Sequence, residues 1–356
     1  MKEMKGKMMM VFILTGMLMF GQMIGSGEEV KELIGAGASF PYPLYSKWFD
    51  VYNKNMKVKV NYQSIGSGGG IRQLLSKTVD FGASDAFLND EEKKKFEGKV
   101  LHIPTALGGV AVIYNLELKQ QIKLTPEILS DIFLGKIKNW QDEKIKNENP
   151  GMELPKMPII VVHRSDGSGT SFIFTDYLCK ASEEWKQKVG KGKSVKWPTG
   201  VGGKGNEGVA GSVRQLPGSI GYVEVIYAEK NHLKYALLKN KAGNYVAPTI
   251  KSISQAANVN LQDDLRVSIT DTQAEQGYPI SGFTWILVYQ DQNYANRNVD
   301  RARAVYKLIR WCITDAQQYN ETLLYAPLPK AAGHNALKLV QSMKFGDSLL
   351  SAEEMK

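Results

Sequence analysis

Three short glycine-rich stretches carrying serine or threonine constrain this chain more than anything else in it. They are Gly-Ala-Gly-Ala-Ser-Phe at 35–40, Ile-Gly-Ser-Gly-Gly-Gly at 65–70 and Arg-Ser-Asp-Gly-Ser-Gly-Thr at 164–170. Short apolar strand patterns at Val58–Tyr62, Val79–Ala83 and Ile159–Val162 alternate with helical patterns at Leu44–Tyr52, Ile71–Leu75 and Ser171–Leu178. That alternation predicts an α/β fold with the glycine-rich loops at the carboxyl ends of strands, where open sheets bind ligands. A helix start offers unpaired N–H groups and the positive end of the macrodipole, so each loop suits an anion. Three such loops, one with an arginine, predict a small oxyanion held from several sides.

The first 27 residues differ from the rest. Lys2, Lys5 and Lys7 precede an uncharged, mostly apolar run from Met8 to Phe20, and Gly25 and Gly27 stand before Glu28. This is the layout of a secretory signal peptide, and the run is short of the ~20 residues that span a bilayer. No cysteine lies near the cleavage region, which argues against a lipid anchor. Losing residues 1–27 removes three lysines and one glutamate, so the formal net charge falls from +9 to +7. An exported protein rarely meets nucleic acid, so the positive balance reads as attraction for anions. The lysine run from Lys186 to Lys196 reads as a solvated loop.

Cys179 and Cys312 could pair in an oxidising compartment, but one pair is no disulfide framework. His102, His163, His232 and His334 lack metal-ligand spacing, so no metal is expected. The string Gly203-Lys-Gly-Asn-Glu-Gly208 matches a dinucleotide fingerprint, but no clear βαβ unit follows a strand there, dinucleotides are scarce for an exported protein, and the stretch reads as a turn and helix start. Gly192-Lys193-Ser194 resembles the end of a P-loop, yet Gln187 stands where that motif needs glycine. A hydrolase would need a nucleophile–base pair. No G-x-S-x-G elbow is present, and His163 reads as a packing or surface residue.

Within the third stretch, Arg164 offers a rigid fork of donors for an oxyanion, and Asp166 can hold that fork. Ser168 and Thr170 flank Gly169 at a helix start. An ordinary capped helix with a surface arginine would show the same residues. Asp85 is the other telling position. A carboxylate among anion donors makes sense if the ligand brings a proton, as phosphate does near neutral pH and sulfate does not. A helix-capping or turn aspartate is the plainer alternative.

At this point the residues resemble the periplasmic phosphate-binding proteins of bacterial phosphate-specific ABC transporters. The likeness rests on residues 35–41, 61–70, 79–85, 133–140, 164–170, 202–208 and 216–224 and covers nearly the whole mature chain. It implies a two-lobed α/β fold with a hinge and the ligand between the lobes. Lobe 1 would be 28–105 plus 277–356, and lobe 2 would be 106–276. It further implies phosphate contacts from Ser39, Phe40 (by its N–H), Ser67, Asp85, Arg164, Ser168, Gly169 and Thr170, with Asp166 pairing the arginine. Ser39 keeps the hydroxyl where some relatives carry threonine. The resemblance predicts a monomeric periplasmic receptor with no cofactor and no catalytic residue, serving membrane permease subunits.

Overall fold

The computed structural model of the chain describes residues 30–260 and 264–353. The export segment expected over residues 1–27 lies outside them. β1 (Glu32–Gly37) runs through Ser39 and Phe40 into α1 (Tyr42–Met56). β2 (Lys59–Ser64) runs into α2 (Ser67–Leu75), and β3 (Phe81–Ser84) ends at Asp85. β1 pairs in parallel with both β2 and β3. The predicted strand–loop–helix alternation is therefore present, and its helices begin closer to the loops than the apolar pattern alone indicates.

α1 buries Leu44, Tyr45, Trp48, Phe49 and Tyr52, the three- and four-residue spacing of one helical face. A Lys57 with left-handed backbone ends it. Ring contacts join α1 to the sheet: Tyr45 meets Tyr62 edge-on at 5.4 Å, and Phe49 meets Phe81 at 5.9 Å. These contacts anchor the helix whose leading loop carries Ser39.

The element that organises the molecule is β4 (Val100–Tyr114), fifteen residues long and buried along nearly its whole length. Its first part, to Gly109, pairs antiparallel with the strand Ser281–Tyr289, which on its other edge pairs with β3. Its last part, Val110–Tyr114, pairs antiparallel with the strand Ser219–Glu224. The parallel strands Ile160–Arg164 and Val201–Gly203 continue the sheet beyond that. A strand buried on both faces reads as a largely apolar run rather than an alternation, and β4 does so apart from His102 and Thr105. The fold is a two-lobed α/β architecture in which β4 passes from one lobe's sheet to the other's.

Some expectations need correcting. The glycine string at 203–208 is a helix start as read, entered from a three-residue strand, Val201–Gly203, that the sequence reading did not place. The lysine-rich run is only partly a solvated loop. Lys186 and Lys188 lie in a short helix, Lys191 pairs with Asp176 at 2.8 Å, and Lys193 pairs with Glu92 at 2.6 Å. Cys179 and Cys312 are both free, in the separate helices Gly169–Ala181 and Val299–Ile313. His163, read as a packing or surface residue, does pack its ring on Trp197, centroids 4.9 Å apart and nearly parallel. Among the described residues no helix is long and apolar enough to cross a membrane.

Candidate functional site

All the residues singled out as oxyanion contacts come together where loops from the two lobes meet, and all are buried. Each owes its place to local structure. Phe40 packs its ring against Gly108 of β4, where a Cβ would come within 2.5 Å of it, and its carbonyl accepts from Tyr325 at 2.5 Å. The Ser39–Phe40 turn is thereby pinned to the core. Gly66 takes a φ of +79° that other residues rarely adopt, turning the chain so that Ser67 opens α2. Asp85 follows β3 directly.

On the opposite side, Arg164 ends the strand Ile160–Arg164. Its Nε donates to Asp166 Oδ1 at 2.8 Å and its Nη2 to Asp166 Oδ2 at 2.6 Å, a bidentate clamp. Its Nη1 reaches Thr170 Oγ1 at 3.3 Å. Asp166 also accepts from the Gly205 N–H at 3.0 Å. Burial would raise the Asp166 pKa, but the hydrogen bonds and charge of Arg164 outweigh it and hold the group below the usual carboxylate value. Asp166 thus stays ionised and keeps the guanidinium aimed into the site. Ser168 caps the helix Gly169–Ala181, its Oγ accepting from Ser171 N–H at 3.0 Å.

The two sides touch directly. Ser67 Oγ accepts from the N–H of Gly169 at 3.0 Å and from the N–H of Asp85 at 3.2 Å. Gly68 N–H donates to the Gly167 carbonyl at 2.9 Å. With both lone pairs of the Ser67 hydroxyl taken, its proton is what it has left to give. Position 169 must be glycine: a Cβ there would stand 2.5 Å from both Asp85 Oδ2 and Ser67 Oγ. The lobes are closed on one another at this point.

Asp85 is the exception in a cluster of donors. It is 1% exposed, and its Oδ1 accepts from Thr284 Oγ1 at 2.7 Å. Burial raises its pKa to about 7, against the opposing pull of Thr284, the Arg164 charge and Ser67. Its second oxygen, Oδ2, faces Gly169 and Ser67. The site therefore combines hydroxyl, guanidinium and helix-start donors with one carboxyl that titrates near neutrality.

Sequence reasoning missed several partners. Thr284, which orients Asp85, lies within the apolar run Ser281–Tyr289 and has no local mark of function. Tyr222 accepts from the Arg164 N–H at 3.1 Å, and Tyr227 donates to the Ser39 carbonyl at 2.7 Å. Asn206, fully buried, reaches Ser39 Oγ from both its N–H and its Nδ2, at 3.1 and 2.9 Å. It stands inside the glycine string at 203–208, where the one available signal was a small amide at a helix start.

A sheet divided between two lobes, with strand-end loops meeting at one buried polar cluster, is the periplasmic-binding-protein architecture. Residues 25–316 match the PBP superfamily domain. The phosphate-binding protein PstS of Pasteurella multocida is 45% identical over 307 residues, covering 85% of this chain and 88% of that protein. The chain belongs to the PBP superfamily and, within it, to the PstS family. Among solved structures it resembles a high-affinity periplasmic phosphate-binding protein bound with phosphate (TM-score 0.68, 22% identity, 86% of this chain and 93% of the other). It also resembles an ABC-type phosphate transport receptor from Vibrio cholerae (TM-score 0.55, 18% identity, 83% and 100%).

Proposed function

We propose that this protein is an extracytoplasmic receptor that binds inorganic phosphate between its lobes and delivers it to the permease of an ABC transporter. The observation that carries this is Asp85: one buried carboxyl, held by Thr284, among groups that otherwise donate. Phosphate fits that arrangement because it presents acceptor oxygens to the donors and a proton to Asp85 Oδ2. Sulfate has no proton to give, so it meets an ionised Asp85 as a repelled and unsatisfied neighbour. The phosphate contacts are Ser39, Phe40 N–H, Ser67, Asp85, Arg164, Ser168, Gly169 and Thr170, with Asp166 holding Arg164. The PstS relatives at 45% identity support the same ligand.

Closure is driven by contacts that only the closed form makes from both sides. Lobe 1 comprises 28–105 plus 277–356 and lobe 2 comprises 106–276 in this reading, with the crossovers near the stretch where β4 and Ser281–Tyr289 run side by side. Residues 1–27 direct export to the periplasm, and the receptor works as a monomer without cofactor or catalytic step. Titration calorimetry of the mature protein, stripped of ligand by unfolding and refolding, tests the reading. Tight one-to-one phosphate binding with no sulfate heat at pH 8 is expected. Equal heats would make it a general oxyanion protein, and no heat with either, together with phosphate release from a phosphomonoester, would make it an enzyme.

A further inference from the structure

Asn206 does more than line the cleft, and the direction of its hydrogen bonds shows how. Its Oδ1 accepts from the Glu224 N–H at 2.9 Å. An N–H can only donate, so the amide has one orientation and its Nδ2 must point the other way. There Nδ2 donates to Ser39 Oγ at 2.9 Å and to Thr170 Oγ1 at 3.1 Å. Each hydroxyl has a second N–H donor as well: Asn206's own backbone for Ser39 at 3.1 Å, and Arg164 Nη1 for Thr170 at 3.3 Å. A hydroxyl oxygen accepts two hydrogen bonds, so both are saturated as acceptors.

We infer that Asn206 is a positioning residue that turns the Ser39 and Thr170 hydroxyls into obligate donors toward the ligand, and that it does so across the lobe boundary. This rests on the phosphate reading given above. Ser39 belongs to the first glycine-rich loop and Thr170 to the third, so a single amide sets the proton direction on both sides of the cleft. Without it, either hydroxyl could point its proton at a neighbour and offer a lone pair to the anion. The same residue ties Ser39 to the start of the helix Gly205–Gln215, so Ser39 is aligned only when the lobes are closed, whereas Thr170 lies in the same lobe as Asn206.

The test is phosphate titration of wild type, Asn206→Ala and Asn206→Asp, each in the native background and in Ser39→Ala/Thr170→Val. Asn206→Ala should weaken phosphate binding about tenfold or more, the loss of roughly one well-placed hydrogen bond. Asn206→Asp keeps the shape and the Glu224 contact but draws the hydroxyl protons to itself, so its loss should exceed that of alanine. In the Ser39→Ala/Thr170→Val background the alanine change should cost less than about threefold, because no hydroxyl remains to be aimed. Native-like affinity in both Asn206 variants, or an equal loss in both backgrounds, overturns the assignment. A wild-type protein that binds no phosphate overturns the function itself, a result separable from the other two because it needs no variant.

Discussion

Asp80 and Asp85 stand at the two ends of β3, five residues apart, and each is 1% exposed. Their surroundings could hardly differ more. Asp80 receives Arg297 Nη2 at 2.6 Å, Arg301 Nε and Nη2 at 2.8 and 2.7 Å, and the Ile34 N–H at 2.7 Å. Asp85 receives one hydroxyl on Oδ1, and Arg164 near it is already engaged by Asp166. A buried carboxylate with charged partners and a backbone donor joins elements together. One held by hydroxyls, with the nearby arginine committed to another carboxylate, stays able to take up a proton. The contrast teaches that burial alone does not mark a functional carboxylate; whether charged groups are committed to it decides between a structural and a ligand-facing role.

The comparison breaks most sharply at Asp80. Asp80→Ala leaves Arg297 buried without a carboxylate to balance its charge and should cost about 3–5 kcal/mol of stability, read from denaturant unfolding, while folded protein still binds phosphate. A cost below about 1 kcal/mol would make the cluster decorative. Arg164→Ala should weaken phosphate binding by about 2–4 kcal/mol, checked by calorimetry. Unchanged affinity would place Arg164 outside the site.

The Asp85→Asn change is the sharper instrument. The raised pKa means the folded state binds a proton that the unfolded state releases between about pH 4 and pH 7, so this group's contribution to stability falls as pH rises through that window. The melting temperature of Asp85→Asn relative to wild type should therefore climb with pH over that range. Sulfate affinity of the wild type should rise as pH drops from 8 toward 6, because a protonated Asp85 can donate to sulfate, and in Asp85→Asn it should be flat. A pH-independent sulfate affinity in both proteins would remove Asp85 from the selectivity argument. The smallest effect belongs to the ion pair between Lys193 and Glu92, whose side chains are 16% and 21% exposed and which joins the two sides of the cleft. Glu92→Gln should weaken phosphate binding by about 1 kcal/mol at most, less at high salt.

Much of this was legible from residue types alone, because the site is made of loops whose chemistry is local. Ser67, Arg164 and Ser168–Thr170 sit in glycine-rich stretches after strands, and such sequences say helix start and anion together, while Asp85 stood out as a carboxylate at a strand end. The unread part acts at long range. Thr284 reaches Asp85 across 199 positions and Asn206 reaches Ser39 across 167. Nothing in a strand of apolar residues or a glycine-dense turn reveals which distant group it will face. The lysine run misled for the same reason, since Lys193 finds its acid 101 residues earlier.

The placement of the strand Ser281–Tyr289 between β3 and β4 has a consequence for how the chain is made. β3 and β4 are neighbours in sequence yet never pair, and the strand that fills the space between them is synthesised almost two hundred residues later. Without it, the first lobe is two incomplete pieces with open edges, so a long-range closure must precede a stable core in that lobe, whereas the sheet of the second lobe needs no such strand.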